Sequence, residues 1–563
     1  MPARDVVPPP TPAASRPPRP AATLVVVRAS ENGFEVLLSR RAERGDHNSG
    51  AWVFPGGLVD PGDRDAHDCS TGLDDAAASA RLGVPAGGLD YYIAAVRECF
   101  EESGLLFATD ARGALVELDD PAAARLAPWR GTLHRGERRL GEFCKELGIA
   151  LAVDRLIYLS HWITPLGRPK RFDTRFFLAV APPVQTAAHD GTEMVEQLWL
   201  RPADALLESA ALKLLTPTLK TLELLGRFAS LGALFEWAGS GRQVVLTVPR
   251  VGVGSQGMRP VLPEELAWAE LGRIDPEGRG TQSYEINPGV AVRLSPRVIR
   301  VSANNGSVMT GPGTNTYLVG GGPENEWAVI DPGPLDDRHV QAVLDAAPGP
   351  IRWIFATHTH LDHSPATLSL QKRTGARVHG LVAAHPEWQD ASFAPETLLR
   401  GGERIALPGG ATLRAIHTPG HASNHLCYLL EEEKMLFTGD HVMQGSTVVI
   451  NPPDGEMAAY VASLRELLEE DLEWLAPGHG FLMAEPKRAI SWIIDHRLKR
   501  EAKVIDALRA QSSATAEALL ARVYDDVPER MHPVALRSLR AHLLKLQSDG
   551  AAHEAEGRWS LRS

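Results

Sequence analysis

The hydrophobic and polar positions sort the chain into three successive patterns. Short apolar runs at 23–28 and 34–38, bounded by turn residues, read as strands, and a glycine-rich turn, FPGG at 54–57, follows them. From about 90 to 103 the apolar period becomes helical, and Gly104 stands where a helix end favours a left-handed residue. Further strand and turn signals lead to about residue 204, and helix-like sequence continues to about 238. Residues 239–290 hold many Gly and Pro with little periodicity, so they are expected to connect domains. From about 296 the pattern changes to short apolar strands, each ending in a loop of His, Asp and Gly. From about 495 it is helical again, in RLKREAKVIDALRA, TAEALLARVY and VALRSLRAHLLKL, before a DG turn at 549–550 and a strand-like tail. The sequence carries no internal repeat.

Composition narrows the function classes. At roughly 100–200 residues per domain, 563 residues suggest about three or four domains. The formal net charge of −12 disfavours a general nucleic-acid coat protein while leaving room for a local basic patch. Cys69, Cys99, Cys144 and Cys427 are scattered and form no C-x-x-C pair. Reduced thiols in the cytoplasm are therefore expected, rather than a disulfide frame or a thiolate zinc site. No apolar run approaches the roughly 20 residues a bilayer span needs, so no membrane partner is expected. The start, MPARDVVPPPTPAASRPPRP, lacks the apolar core of a signal peptide and reads as a disordered leader over 1–20. The oligomeric state is left open.

The apolar stretch WIFAT ends in HTHLDH, which supplies His358, His360, Asp362 and His363. Imidazole and carboxylate suit zinc or a similar borderline ion. One loop cannot enclose two ions, and later strand-like segments supply further donors: LRAIHTPGH brings His421, MLFTGD brings Asp440 and LEWLAPGHG brings His479. These motifs resemble the metallo-β-lactamase superfamily, and GPGTNTYLVG, HTPGHASNH and GDHVMQGSTVV resemble its lactamase-beta-like 2 group. The resemblance implies an αββα sandwich with two metals, most simply two Zn²⁺, at one edge. It assigns His358, His360 and His421 to the first metal, and Asp362, His363 and His479 to the second. Asp440 would bridge them, and Asp362 would also be catalytic. Two ions about 3.5–4 Å apart polarise the substrate and supply the nucleophile. His417, His425 and His441 lie outside the pattern and are expected to support the ligands.

In RECFEESGL at 97–105, Glu98, Glu101 and Glu102 stand at i, i+3 and i+4, so three carboxylates share one helix face. Taken alone, that spacing also fits a solvated acidic face; a hard cation such as Mg²⁺ or Mn²⁺ would relieve the repulsion. The stretch resembles the Nudix box, with Gly57 as its first glycine. Asp63 stands where the family has Glu, and residues 64–96 replace the usual seven as an expected surface loop. HWITPLGRPKRFDTRFFLA at 161–179 and EMVEQLWL at 193–200 resemble the peroxisomal-type coenzyme A diphosphatases of that superfamily. An upstream coenzyme A signature is partly met, by Leu37, Leu38, Arg41, Gly50 and Phe54–Gly57; Ser39, Ala42 and Asp46 depart from it. The resemblance implies water attack on a diphosphate, with Glu101 and Glu102 catalytic as well as metal-binding. Arg97 would orient the glutamates and Glu193 is a candidate extra ligand or base.

Residues 497–563 carry twelve Lys/Arg against nine Asp/Glu, with Arg537, Arg540 and Lys545 on the last long helix. A basic helix could follow phosphates, although a packing module with a solvated face accounts better for so small an excess.

These readings predict a multidomain α/β chain. A leader over 1–20 precedes a Nudix α/β/α sandwich over 21–238 and a connecting segment over 239–290. A metallo-β-lactamase αββα sandwich over 291–494 and a winged-helix-like module over 495–563 complete it. The expected function is a bifunctional metal-dependent hydrolase. Its Nudix half would act on coenzyme A, acyl-CoA or a nucleotide-like diphosphate, and its second half on a thioester or other ester. An RNA-processing protein that cuts single-stranded RNA is the alternative, as is a binding protein with a silent Nudix domain.

Overall fold

The computed structural model describes residues 17–43, 48–209 and 211–562, which form two compact units divided between Arg250 and Val251. Residues 1–16 of the leader expected over 1–20, and the position of Asp46, lie outside the described residues. Residues 17–20 run directly into the first strand, Arg19–Ser30.

In the first unit, Ala22, Leu24 and Val26 of that strand pack with Leu37 against Tyr92, Val96, Cys99 and Phe100 of the helix Gly88–Ser103. Val25, Val27, Val36 and Leu38 point to the opposite face and are fully buried too. Burial on both faces explains why these strands read as near-continuous apolar runs. Arg19–Ser30 runs parallel to Phe172–Val180 and antiparallel to Gly33–Arg41, which pairs in turn with Met194–Leu200. The short strand Gly56–Leu58 pairs with the start of Arg19–Ser30 and so brings the FPGG turn beside the Gly88–Ser103 helix. Residues 64–96 do not form the expected surface loop. They contain most of a 3-10 helix, Pro61–Cys69, and the helix Asp75–Leu82. Ala66, Cys69, Leu73, Ala78 and Leu82 are buried in the same core as the long helix.

In the second unit two sheets face each other. Seven strands follow chain order from Ala291–Arg293 to Thr397–Leu398, and five from Arg404–Leu407 to Trp474–Pro477. The period-2 alternation of strand side chains builds the layers. Val298, Tyr317, Val319, Ala328 and Ile330 meet Leu413, Ala415, Tyr428 and Phe437 between the sheets. Their neighbours Ile299, Val301, Leu318 and Val329 turn outward onto Val340, Val343 and Leu370. Leu429, Leu436 and Leu475 likewise pack onto Tyr460, Leu464, Ile490 and Ile493. This is the expected αββα order.

Residues 251–290 are not a bare connection. They carry a hairpin, Arg250–Gly254 with Gly257–Val261, and the helix Trp268–Ile274. Val261, Ala267, Leu271 and Tyr284 pack against Phe481 of the second unit's own core. At the other end, one helix, Pro486–Gln511, runs through residues 494 and 495 without a break. Its second half joins Ala516–Val523, His532–Ser548 and the hairpin Ala552–Ala555 with Arg558–Leu561. Leu508, Leu519, Leu539, Leu543 and Trp559 form the core of this winged-helix module. Among the described residues, no helix is long and apolar enough to cross a membrane.

Candidate active sites

In the second unit the donors predicted from sequence sit on loops that follow strand ends: His358, His360, Asp362 and His363 after Ile351–Phe355, His421 after Ala411–His417, Asp440 after Met435–Gly439, and His479 after Trp474–Pro477. They gather as two groups, each with its donor atoms within 4.8 Å of one another: His358, His360 and His421, then Asp362, His363, Asp440 and His479.

In the first group, His360 Nδ1 lies 2.9 Å from His358 Nε2 and 3.0 Å from His421 Nε2. Two of these nitrogens are bare. His421 Nδ1–H donates to Val449 O at 2.8 Å, which leaves Nε2 as a lone pair. Thr357 Oγ1 gives its proton to Asp331 Oδ2 at 2.8 Å and accepts from His358 Nδ1 at 3.0 Å, so His358 Nε2 is bare as well. Burial holds His358 well below the usual imidazole range and His360 down to about 3. Three neutral rings aiming nitrogens at one point suit a cation.

In the second group, His363 Nε2 lies 3.3 Å from Asp440 Oδ1 and 3.4 Å from Asp362 Oδ2. His479 Nε2 lies 3.2 Å and 3.4 Å from the same two oxygens. Close as they are, His363 Nε2, His479 Nε2 and Asp440 Oδ1 are buried and have no hydrogen-bond partner. Burial opposes charge on His363, yet the carboxylates of Asp362, Asp440 and Asp331 hold it well above the usual range, and Asp440 and Asp362 lift His479 to about 9. The group therefore demands positive charge, which either protons or a metal ion can supply. Asp440 spans both groups: Oδ1 faces His363 and His479, and Oδ2 lies 3.7 Å from His421 Nε2. A Cβ at Gly478 would come within 2.8 Å of Asp440 Oδ1, so only glycine leaves this space open.

The surrounding residues hold the rings. Asp331, buried at φ +53°, accepts from His363 Nδ1 at 2.9 Å, Thr357 N at 2.7 Å and Thr357 Oγ1. It thus orients His363 directly and His358 through Thr357. Sequence reasoning missed it: one Asp before Pro-Gly at a strand end has no motif of its own. Asp331→Asn should weaken metal binding by about 10–100-fold, the usual cost of losing a ligand's hydrogen-bond partner, as read by zinc titration. His425 accepts from Asp440 N at 3.2 Å, His441 contacts Ser463 Oγ at 3.1 Å, and His417 donates to Ser423 O at 3.1 Å. Among the described residues, none of the three joins either donor group.

In the first unit Arg97 organises the carboxylates. Its Nη1 contacts Glu98 Oε1 at 2.9 Å and Glu101 Oε1 at 3.3 Å, while Nε contacts Asp63 Oδ1 at 2.7 Å. Asp63, one methylene shorter than Glu and followed by the insertion, still joins the site and is buried. Gly56 N donates to Glu102 Oε2 at 3.0 Å, and a Cβ on Gly57 would meet Glu98 Oε1 at 2.4 Å. A side chain at the box glycine would therefore displace the Glu98 carboxylate. Burial pushes Glu101 up to about 7 against the pull of Arg97, and burial together with the Glu98 charge drives Glu102 well above the carboxylate range. Burial raises Glu98 as well, and the Glu193 charge adds a smaller push to both Glu98 and Glu102. Among the described residues, Glu98, Glu101 and Glu102 do not gather as tightly as the histidine groups, and Arg97 contacts two of them, Glu98 and Glu101. Arg130, which sequence reasoning missed, donates to Glu101 O at 3.0 and 3.1 Å and to Ala188 O at 2.7 Å, fixing the helix end.

The metallo-beta-lactamase superfamily model matches residues 309–479. An atrochrysone carboxyl ACP thioesterase of Aspergillus chevalieri is 35% identical over 289 residues, covering 47% of this chain and 87% of its own. The chain belongs to the metallo-β-lactamase superfamily. A beta-lactamase-like protein 2 homolog of Drosophila melanogaster is 30% identical over 283 residues, 46% of this chain and 90% of its own. Ahead of the metallo-β-lactamase domain, the NUDIX domain model matches 17–70 and the NUDT19 Nudix domain model matches 74–217. Behind it, the beta-lactamase associated winged helix domain model matches 515–559. A crystal structure of a NUDIX hydrolase from Alicyclobacillus acidocaldarius is 27% identical with a TM-score of 0.34, covering 40% of this chain and 97% of that one. Two hydrolase domains and thioesterase relatives make this metallo-β-lactamase superfamily member a hydrolase.

Its winged helix presents less free positive charge than the sequence suggests. Arg540 pairs with Glu517 at 2.8 Å, and Lys545 with Glu501 at 3.0 Å and Asp549 at 2.7 Å. Arg537 lies over the exposed Trp388 ring, 5.5 Å from its centroid.

Proposed function

We propose that the metallo-β-lactamase half is a two-metal thioesterase and the Nudix half a diphosphatase of coenzyme A or acyl-CoA. The observation that carries the first part is the reach of Asp440, one oxygen toward each donor group. His358, His360 and His421 would hold one ion; Asp362, His363 and His479 would hold the other; Asp440 would serve both. The imidazole and carboxylate donors suit zinc. Bound metal supplies Lewis acidity and an activated water at neutral pH. Around it, Asp331 and Val449 hold ring orientation, and Asp362, which accepts from Thr314 Oγ1 at 3.3 Å, would hold the attacking water. In the Nudix half, Glu98, Glu101 and Glu102 would bind Mg²⁺ or Mn²⁺ through oxygen, with Arg97 and Asp63 fixing the helix face. The domains we assign are 21–238, 251–494 and 495–563. Four unpaired buried cysteines favour a reducing, cytoplasmic setting.

The thioesterase relatives and the coenzyme A-type Nudix resemblance support a thioester, and both susceptible bonds occur in one acyl-CoA molecule. The paired state of Arg540 and Lys545 gives less support to RNA. The test is to incubate purified protein with acyl-CoA esters and, separately, a short single-stranded RNA. Free thiol should appear from the thioester while RNA stays intact. Shortened RNA with no thiol release would overturn the substrate assignment.

A further inference from the structure

The segment 262–271 lies ahead of both the strand layers and the residues matched by the superfamily model, yet it grips the loop that carries His479. Glu270 and Arg300 form a buried ion pair with two contacts, 2.6 and 2.9 Å. Their side chains are each only 2% exposed. Glu270 Oε2 also accepts from Leu482 N at 2.8 Å, and Arg300 Nη1 reaches Gly480 O at 3.5 Å. From the same segment, Leu266 O accepts from Gln444 Nε2 at 2.9 Å, and Gln444 Oε1 accepts from Phe481 N at 2.9 Å. The segment therefore touches the loop just after His479 and the loop just after Asp440. Both donors belong to the four-residue group, whereas the contacts made by Thr357 and Val449 govern the three-histidine group.

We propose that Glu270 is a positioning residue for the Asp362, His363, Asp440 and His479 group, so that residues 251–290 are a working part of the metal centre. A buried charge pair is an unusual way to fill a core, since apolar residues of similar size do it as well or better. What the pair adds is direction. The carboxylate fixes Leu482 N while Arg300 approaches Gly480 O, which sets the path of the chain just after His479. Asn315 donates to Pro477 O at 3.0 Å and to the same Gly480 O at 2.8 Å. Without Glu270 the loop keeps the Asn315 contacts and loses its anchor at Leu482 N.

This proposal rests on the two-metal reading, and the experiment separates the two. Zinc is titrated into the metal-free full-length protein against a chromogenic chelator, and thermal unfolding of the metal-free protein is followed in parallel. The variants are Glu270→Gln and the apolar pair Glu270→Met with Arg300→Leu. The pair removes the charges together and is meant to keep the core filled. The expected result is one zinc bound as in the parent and the second bound about tenfold or more weaker in both variants, the range seen when a ligand's support is lost. The apolar pair should show this even with its unfolding temperature restored. If the apolar pair binds both ions like the parent, or if both ions weaken alike, Glu270 is a core residue and the proposal fails. A parent protein that binds fewer than two ions would instead sink the two-metal reading beneath it.

Discussion

Asp440→Ala should reduce bound zinc from two ions per chain to one or none and lower thioester hydrolysis by roughly 10³-fold or more, a loss of several kcal/mol of transition-state stabilisation. The reason lies in the distances. Asp440 Oδ1 is 3.2–3.3 Å from His479 Nε2 and His363 Nε2, and Oδ2 faces His421 Nε2 at 3.7 Å. Asp440 thus divides its two oxygens between the groups. Alanine leaves Asp362, His363 and His479 with one carboxylate and His358, His360 and His421 with none. Metal content by mass spectrometry and thiol release should fall together. Full activity with two ions retained would show that the bridge is unnecessary.

Glu101→Gln should abolish diphosphate cleavage, by roughly 10³-fold, and leave thioester hydrolysis within error of the parent. The substitution keeps shape and removes one charge from a face where Arg97 contacts Glu98, Glu101 and Asp63. Burial already pushes Glu101 up to about 7, so its charge is held at a cost that a bound cation would offset. The two units have separate cores, and Glu101 takes part only in the first. Nucleotide and thiol products from one acyl-CoA preparation measure both activities in the same tube. Unchanged nucleotide release would remove Glu101 from the Nudix site.

The donors were legible because their chemistry is local: HTHLDH, HTPGH, TGD and PGHG each end a strand, and strand ends of the two facing sheets converge. Asp331 was not, because it acts from a different strand and its partners, Thr357 and His363, become neighbours only in the folded sheet. Asp63 looked compromised by its length and by the long insertion. In the fold the insertion buries Ala66, Ala78 and Leu82 beside the Gly88–Ser103 helix, so Asp63 stays close enough to reach Arg97. The stretch 251–290 looked like a connection because its anchoring comes from a few scattered residues. Val261, Leu271 and Tyr284 show no period, and the decisive contact is a charge pair with Arg300, thirty positions away. Basic residues on the last helix were legible as charges, but their acidic partners at Glu501 and Glu517 lie on other helices.

The most direct test of the two-metal account is anomalous diffraction at the zinc edge, on crystals of protein purified without chelator and supplied with zinc. The account predicts two peaks. One should lie among His358, His360 and His421 and the other among Asp362, His363 and His479, with Asp440 in contact with both. A single peak, or two peaks of which only one touches Asp440, would contradict it.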